Sequence, residues 1–285
     1  MKTSQAFKWF SLTLAFGWLI IFVLIPNAMV VLASFLSRDP SNLISLEWNI
    51  LSYQRLLDPM YLEILMHSLF MAGIATILCL IIGYPTAWII SSFGPIGRAL
   101  LLFMIIVPFW TNSLIRTYAI KIILGTNGVL NWLMLNLGLI DKPIKFMYTE
   151  AAVIFGLVYI LLPFMILPLY SAIEKLPNSL KDAAKDLGAN NFHYFTKIML
   201  PLTMPGIIAG TLMVFLPAMG MFYLSDLLGG SKNLLVGNVI RDQIMIVRDW
   251  PFGSAFSTAL TVIMGLLLWV YFVQLNRRNK ELDNG

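Results

Sequence analysis

Charge is scarce in this 285-residue chain, and most reactive side chains are nearly absent. Lys, Arg, Asp and Glu together make up 12% of the residues, about half of what soluble domains carry. The single cysteine, Cys79, lies inside an apolar run, which excludes an intramolecular disulfide, a cysteine zinc site and thiol redox pairs. The two histidines, His67 and His193, are far apart in the chain, so no metal site is expected; Glu63, four residues before His67, is placed for an i, i+4 contact. No HExxH, GxSxG or GxxxxGK[ST] stretch is present, so no catalytic residue is assigned and any ATP hydrolysis belongs to another protein. Basic residues nowhere cluster with an aromatic stacking platform, so nucleic acid is not an expected partner.

What the chain does have is apolar length. It is 59% hydrophobic, with a mean hydropathy of +0.83. A bilayer core takes about 20 apolar residues of helix. Six stretches qualify: Phe10 to Leu32, Ser68 to Ile90, Ala99 to Ile115, Ala151 to Tyr170, Gly206 to Leu224 and Ala255 to Gln274. The first is too long for the h-region of a cleaved signal and is read as a retained transmembrane helix. Every span but the last has a proline in it or close by, either as an ordinary kink or as a break whose freed carbonyls neighbouring helices satisfy. The fold expected is therefore an all-α membrane protein with six transmembrane helices, one domain over residues 1–285. The Arg277-Arg278 pair and the single-arginine turn at Arg98 favour both termini on the cytoplasmic side.

Between the spans, 37–67 is mixed and polar. The stretch Val129 to Ile140 is apolar but too short to cross, and fits an interfacial or re-entrant helix. It either packs on the bundle or forms a ledge for a soluble partner. Two Arg-Asp neighbours, Arg241-Asp242 and Arg248-Asp249, flank Ile244 to Val247 in what reads as a short helix returning to the membrane surface.

The longest polar interruption of the second half runs from Leu176 to Pro205. Pro177 suits a first helical position, and a helix from there places Leu180, Ala183, Ala184 and Leu187 on one face, with Lys181, Asp182, Lys185 and Asp186 around the rest. Gly188 stands where a left-handed residue closes such a helix, with Ala189 just beyond. A second helix with Phe192, Phe195, Ile198 and Met199 on one side is expected to end at Leu200-Pro201. The residues alone leave two readings: a helix that docks on a partner, or one resting on its own bundle.

Asp182-Ala183-Ala184, Gly188 and Ile198-x-Leu200-Pro201 resemble the EAA signature of inner-membrane permeases of ABC importers, with Asp182 in place of the usual Glu. The resemblance implies type I importer architecture, with the 176–205 loop inserting into a separate cytoplasmic ATPase. Leu180, Asp182, Ala183, Ala184, Asp186, Leu187, Gly188, Ala189, Ile198, Leu200 and Pro201 are then the coupling residues. ATP and Mg would be held by that partner, with no cofactor in this chain.

Further stretches are similar to the polyamine branch, the permeases of spermidine and putrescine importers. These are Val107 to Arg116, Gly156 to Phe164, Leu200 to Gly210, Leu216 to Gly220 with Phe222-Tyr223 and Ser225 to Leu227, and Asp249 to Gly253. The likeness implies a bacterial inner-membrane protein, a second homologous permease subunit, two copies of the ATPase, an external substrate-binding protein and a polyamine as cargo. A polyamine path needs aromatic faces and a carboxylate. Phe222, Tyr223, Ser225 and Asp226 offer these; Trp110, Thr111, Asn112 and Ser113 form a second polar and aromatic patch. Asp226 reads equally as an anchor or loop cap, and Arg116 is expected to face headgroups or pair with a carboxylate. An importer for another small solute is the alternative. A secondary transporter would carry mid-membrane ionisable groups that these spans largely lack, and a channel would carry a filter run.

Overall fold

The computed structural model describes residues 5–39, 43–230 and 233–283. Helix α1 (Lys8–Ala33) leads into a hairpin of β1 (Leu36–Asp39) and β2 (Leu43–Trp48), then a short helix α2 (Leu51–Leu56). There follow α3 (Pro59–Ser92), α4 (Pro95–Trp110), α5 (Ser113–Leu124), α6 (Val129–Asn136) and α7 (Glu150–Glu174). The chain continues through α8 (Asn178–Asp186), α9 (Asn191–Leu202), α10 (Met204–Gly220), α11 (Val236–Met245) and α12 (Trp250–Asp283). Among the described residues 5 helical runs are long and apolar enough to cross a membrane, with α5 and α6 as one run, and the α9–α10 pair, bent by 68°, makes up to 6.

Span limits differ from the sequence reading where polar side chains intervene. The third predicted span, 99–115, is two pieces. Pro108 cannot donate a backbone hydrogen bond, Thr111 turns extended, and Asn112 accepts from the Leu114 amide at 2.8 Å to start α5 afresh. The fifth, taken to Leu224, stops at Gly220 because Met221 leaves the helical region with ψ 65. Helix α9 ends at Leu202, one residue past the expected stop at Leu200-Pro201. The described residues of 37–67 form paired strands and helices, and α3 begins nine residues before the predicted span.

Three widened π turns, Ile20–Leu24, Phe195–Met199 and Ser225–Gly229, interrupt the α geometry. Two of them precede a proline. The Ile25 amide reaches back to the Ile20 carbonyl just before Pro26, and the Leu200 amide reaches Phe195 just before Pro201. A proline ring collides with the carbonyl four residues earlier in a regular helix; widening the preceding turn lets the helix continue, a local adjustment that membrane helices tolerate.

The chain divides into two compact units, Met1–Leu62 with Val239–Leu266 and Glu63–Asn238 with Leu267–Gly285. In the first, the Arg55 guanidinium donates to Asp249 Oδ2 at 2.8 Å and lies 4.0 Å from the centre of the Phe252 ring. Burial works against the charge on Arg55, but hydrogen bonds to Asp249 and Tyr61, and their charges, raise its pKa above the ordinary value. Asp249 also caps α12, accepting from the Phe252 amide at 3.2 Å. Arg248 takes a positive φ of 57, and its neighbour Asp249 pairs with the distant Arg55. Arg241 and Asp242 do pair, at 2.6 Å.

In the second unit α3, α7 and α10 form the core, with Met71, Ala75, Cys79, Leu157, Leu161, Met165, Leu169 and Val214 fully buried. Helices α7 and α10 approach closely through Gly206 and Gly210, a small-xxx-small spacing that brings backbones together in membranes. A Cβ on Gly206 would stand 2.5 Å from Ala172 Cβ and 2.8 Å from the Pro168 carbonyl oxygen. His67 lies 3.3 Å from Glu150, across from α7, in place of the expected contact with Glu63. Gly206→Val is expected to destabilise the folded chain by about 1–3 kcal/mol, the range for overpacking, read as earlier unfolding in a denaturing-detergent titration; an unchanged midpoint would contradict the close α7–α10 approach.

Candidate functional site

The residues singled out in 176–205 form a helix, a glycine turn and a second helix. Pro177 stands just outside α8 with extended ψ 138, one position earlier than expected, and Asn178 is the first helical residue. At the other end Gly188 takes φ +78. The Ala189 amide returns to the Ala184 carbonyl at 2.9 Å and the Gly188 amide to Lys185 at 2.8 Å, a closed left-handed cap. Asn190 then caps α9 by accepting from the His193 amide at 2.7 Å.

The expected apolar face of α8 is split. Ala184 is buried and Leu180 partly so, which packs this side on the protein, whereas Ala183, Asp182, Asp186 and Gly188 are exposed and Leu187 is 89% exposed. Phe192 is 72% exposed beyond the turn. One side of the helix is thus covered, at Ala184 and in part at Leu180, and a rim of Ala183, Leu187, Gly188 and Phe192 is exposed. Ala189, Ile198, Leu200 and Pro201 are intermediate in exposure and sit at the base of this rim.

The bend below α9 is held by a side-chain pair that the sequence reading passed over. Thr203, fully buried, donates its hydroxyl to the Met199 carbonyl at 2.8 Å and lies 2.8 Å from the Tyr84 hydroxyl of α3, which is left to donate to it. Tyr84 also meets Phe195 edge-on at 5.4 Å between ring centres. The 68° bend is therefore joined to α3 by this hydroxyl pair as well as by the ring contact with Phe195. A tyrosine within an apolar span, and a threonine just before a helix start, were the only local signals.

The two proposed path groups lie on different elements. Trp110 is 76% exposed at the end of α4 and meets Phe103 edge-on at 6.1 Å. Thr111 donates to the Pro108 carbonyl at 2.6 Å, and Asn112 and Ser113 open α5, so this patch is the join between two helices. Arg116 stacks its guanidinium 4.5 Å from the centre of the Phe109 ring, a cation–π contact where a carboxylate or headgroups were expected. In the other group, Phe222 and Tyr223 meet edge-on at 6.2 Å, Ser225 is buried with its hydroxyl on the Asn233 carbonyl, and Asp226 is exposed.

Asn238 organises that second group, and the sequence reading missed it. Fully buried, it donates to Asp226 Oδ1 at 2.6 Å and to the Phe222 carbonyl at 3.1 Å, and accepts from the Leu235 amide at 2.9 Å. Gly237 beside it packs against Gly220, where a Cβ would meet the carbonyl oxygen at 2.5 Å. The break after α10 is thus closed by side chains, with an exposed carboxylate held by a buried amide and following the two aromatic residues in the chain. Among the described residues no group of three or more His, Cys, Asp or Glu is placed to hold a metal ion.

A bent helix pair bearing an exposed rim follows helices long and apolar enough to cross a membrane. Residues 7–280 match the model of binding-protein-dependent transport system inner membrane components, and the chain belongs to that family. It is 57% identical to the spermidine/putrescine transport system permease protein PotB of Escherichia coli K12, over 94% of this chain and 97% of that protein. With the protein of that name from Haemophilus influenzae it shares 56% identity over 98% of this chain and 96% of the relative. Its fold matches a crystallised bacterial ABC transporter involved in import of the acidic polysaccharide alginate, with a TM-score of 0.76 over 95% of this chain and 94% of that one at 16% identity.

Replacing Tyr84 by Phe deletes one hydroxyl from the bend. The loss is expected to be about 0.5–1.5 kcal/mol of stability, the net worth of one hydrogen bond, read in the same detergent titration, and a Thr203→Val, Tyr84→Phe double variant should lose less than the sum of the two single changes. Strict additivity would show that the pair does not couple.

Proposed function

We propose that this chain is a permease subunit of an ATP-driven importer that carries polyamines, spermidine or putrescine, across the inner membrane. The observation that carries the reading is the 57% identity to the PotB permease, extending over 94% of this chain. Both termini and the 176–205 segment face the cytoplasm, where the rim around Leu187 enters a partner ATPase. That partner holds ATP and Mg; in the assembly stand two copies of it, a second homologous permease subunit and an external binding protein that delivers the polyamine. The whole chain works as one permease domain.

In this mechanism ATP closes the two ATPase subunits on each other and draws in the α8–Gly188–α9 segments seated on them. The buried side of α8 and the Tyr84–Thr203 pair pass that displacement to α3 and α10. The bundle then opens toward the binding protein, and hydrolysis lets it return. On the path, Asp226 supplies negative charge for an ammonium group while Phe222 and Tyr223 supply ring faces, as a flexible cation with a methylene backbone requires. Asn238 holds Asp226 in position through its Oδ1.

Labelled spermidine and putrescine uptake by vesicles carrying the whole assembly, against unrelated solutes, tests the cargo; equal uptake of uncharged solutes would sink it. With Asp226→Asn, the half-saturating polyamine concentration should rise up to about five-fold, the range of an exposed ion pair; an unaltered value and rate remove Asp226 from the path. Leu187→Asp should leave insertion intact, because Leu187 is 89% exposed, while copurification of the ATPase falls. Undiminished copurification and transport would contradict the coupling rim.

A further inference from the structure

Two cavities near the end of α3 share one wall. The first is an apolar groove of about 600 Å³ between α3 and α9, lined by Leu80, Ile81, Pro85, Phe192 and Leu200, with Trp88 at its edge. The second, about 430 Å³ and polar, opens on the other side of Trp88 and is lined by Ser91, Ser92, Arg98, Glu174, Lys181 and Tyr194. The Trp88 ring is stacked on Phe195, with 6.2 Å between centres and 22° between planes, so the wall is fixed in place.

We infer that this double cavity is a binding site for an anionic phospholipid, with the headgroup in the polar compartment and an acyl chain in the apolar groove. Three observations converge on that occupant. The site lies at the end of a 34-residue membrane-spanning helix, where the change from apolar to polar lining coincides with a tryptophan, the residue that favours the boundary between acyl chains and headgroups. The polar compartment carries Arg98 and Lys181 against one carboxylate, Glu174, so its sum is positive. Arg98 lies 3.3 Å from Glu174 and gives its Nε–H to the Phe93 carbonyl at 2.6 Å, which leaves Lys181, exposed on α8, as the net charge offered to a ligand. The Ser91 and Ser92 hydroxyls both donate to the Trp88 carbonyl, at 2.7 and 3.0 Å, and so present their lone pairs as secondary sites for a headgroup hydroxyl.

Basic pockets between membrane helices recognise acidic headgroups, and one lysine near a surface is worth roughly a five-fold preference for the anionic lipid. A lipid seated here touches α3, α8 and α9 together, and would brace the segment that bears Leu187. The site rests on the spanning fold and the charge of its lining, not on the identity of the cargo, so it stands or falls apart from the polyamine reading.

The test uses the full-length chain with its copurifying subunits in bilayer nanodiscs doped with brominated-acyl phosphatidylglycerol or brominated-acyl phosphatidylcholine. The Trp88 contribution to fluorescence quenching is the difference between the wild type and Trp88→Phe. It should appear at roughly five-fold lower mole fraction of the anionic lipid, and Lys181→Gln should bring the two lipids to equality. Equal quenching in the wild type would reduce the site to ordinary annular contact. No quenching by either lipid would mean a protein covers the groove, and a preference that survives Lys181→Gln would remove the proposed headgroup contact. If Trp88→Phe fails to fold, phosphatidylglycerol retained on the wild type and on Lys181→Gln, counted by native mass spectrometry, decides the same question: equal retention overturns the proposal.

Discussion

A backbone inside a bilayer has no water to satisfy its amides and carbonyls, so each interruption of a helix must be closed from within the protein. In this chain the closures are specific side chains. Asn112 opens α5 after the break at Thr111, Asn238 ties the end of α10 to the turn that follows, Thr203 and Tyr84 close the bend between α9 and α10, and Asp249 starts α12. The few polar residues that the composition allows are concentrated where regular structure stops. The proposed functional groups lie at these same places, since a break is also where a carboxylate or an aromatic ring can face something other than lipid.

Much of the architecture was legible because it is written in local terms. Runs of apolar length located the spans, and Gly188 announced a left-handed cap that the structure shows at φ +78. The split of α8 was not legible, because periodicity marks Leu180, Ala183, Ala184 and Leu187 as one face without saying which edge meets the bundle. Nor were the ends of the third and fifth spans, where Asn112 and Met221 override an apolar run of sufficient length. Hidden altogether were the long-range pairs: Arg55 with Asp249, His67 with Glu150, Tyr84 with Thr203. Each joins residues more than 80 positions apart, and for His67 the nearer Glu63 stood in sequence as the more obvious partner.

Of the proposed path residues, the sequence identified the types that suit a polyamine without the amide that holds Asp226. A buried asparagine costs stability unless its donors and acceptor are all used. At Asn238 they are, on Asp226, Phe222 and Leu235. The Trp110 to Ser113 patch, by contrast, spends Thr111 and Asn112 on joining two helices, which leaves the exposed indole as its principal outward feature.

The π turns before Pro26 and Pro201 carry a consequence for how the chain can be compared and altered. Each holds one residue more than a regular turn, so everything after it is rotated by about 100° relative to an uninterrupted helix. A heptad-like count carried through Ile20–Leu24 or Phe195–Met199 assigns the wrong face to every later position. The same extra residue makes these turns natural places for a single-residue insertion or deletion: losing it would not shorten a loop but turn the remainder of a span about its own axis, presenting a different side to lipid and to neighbouring helices.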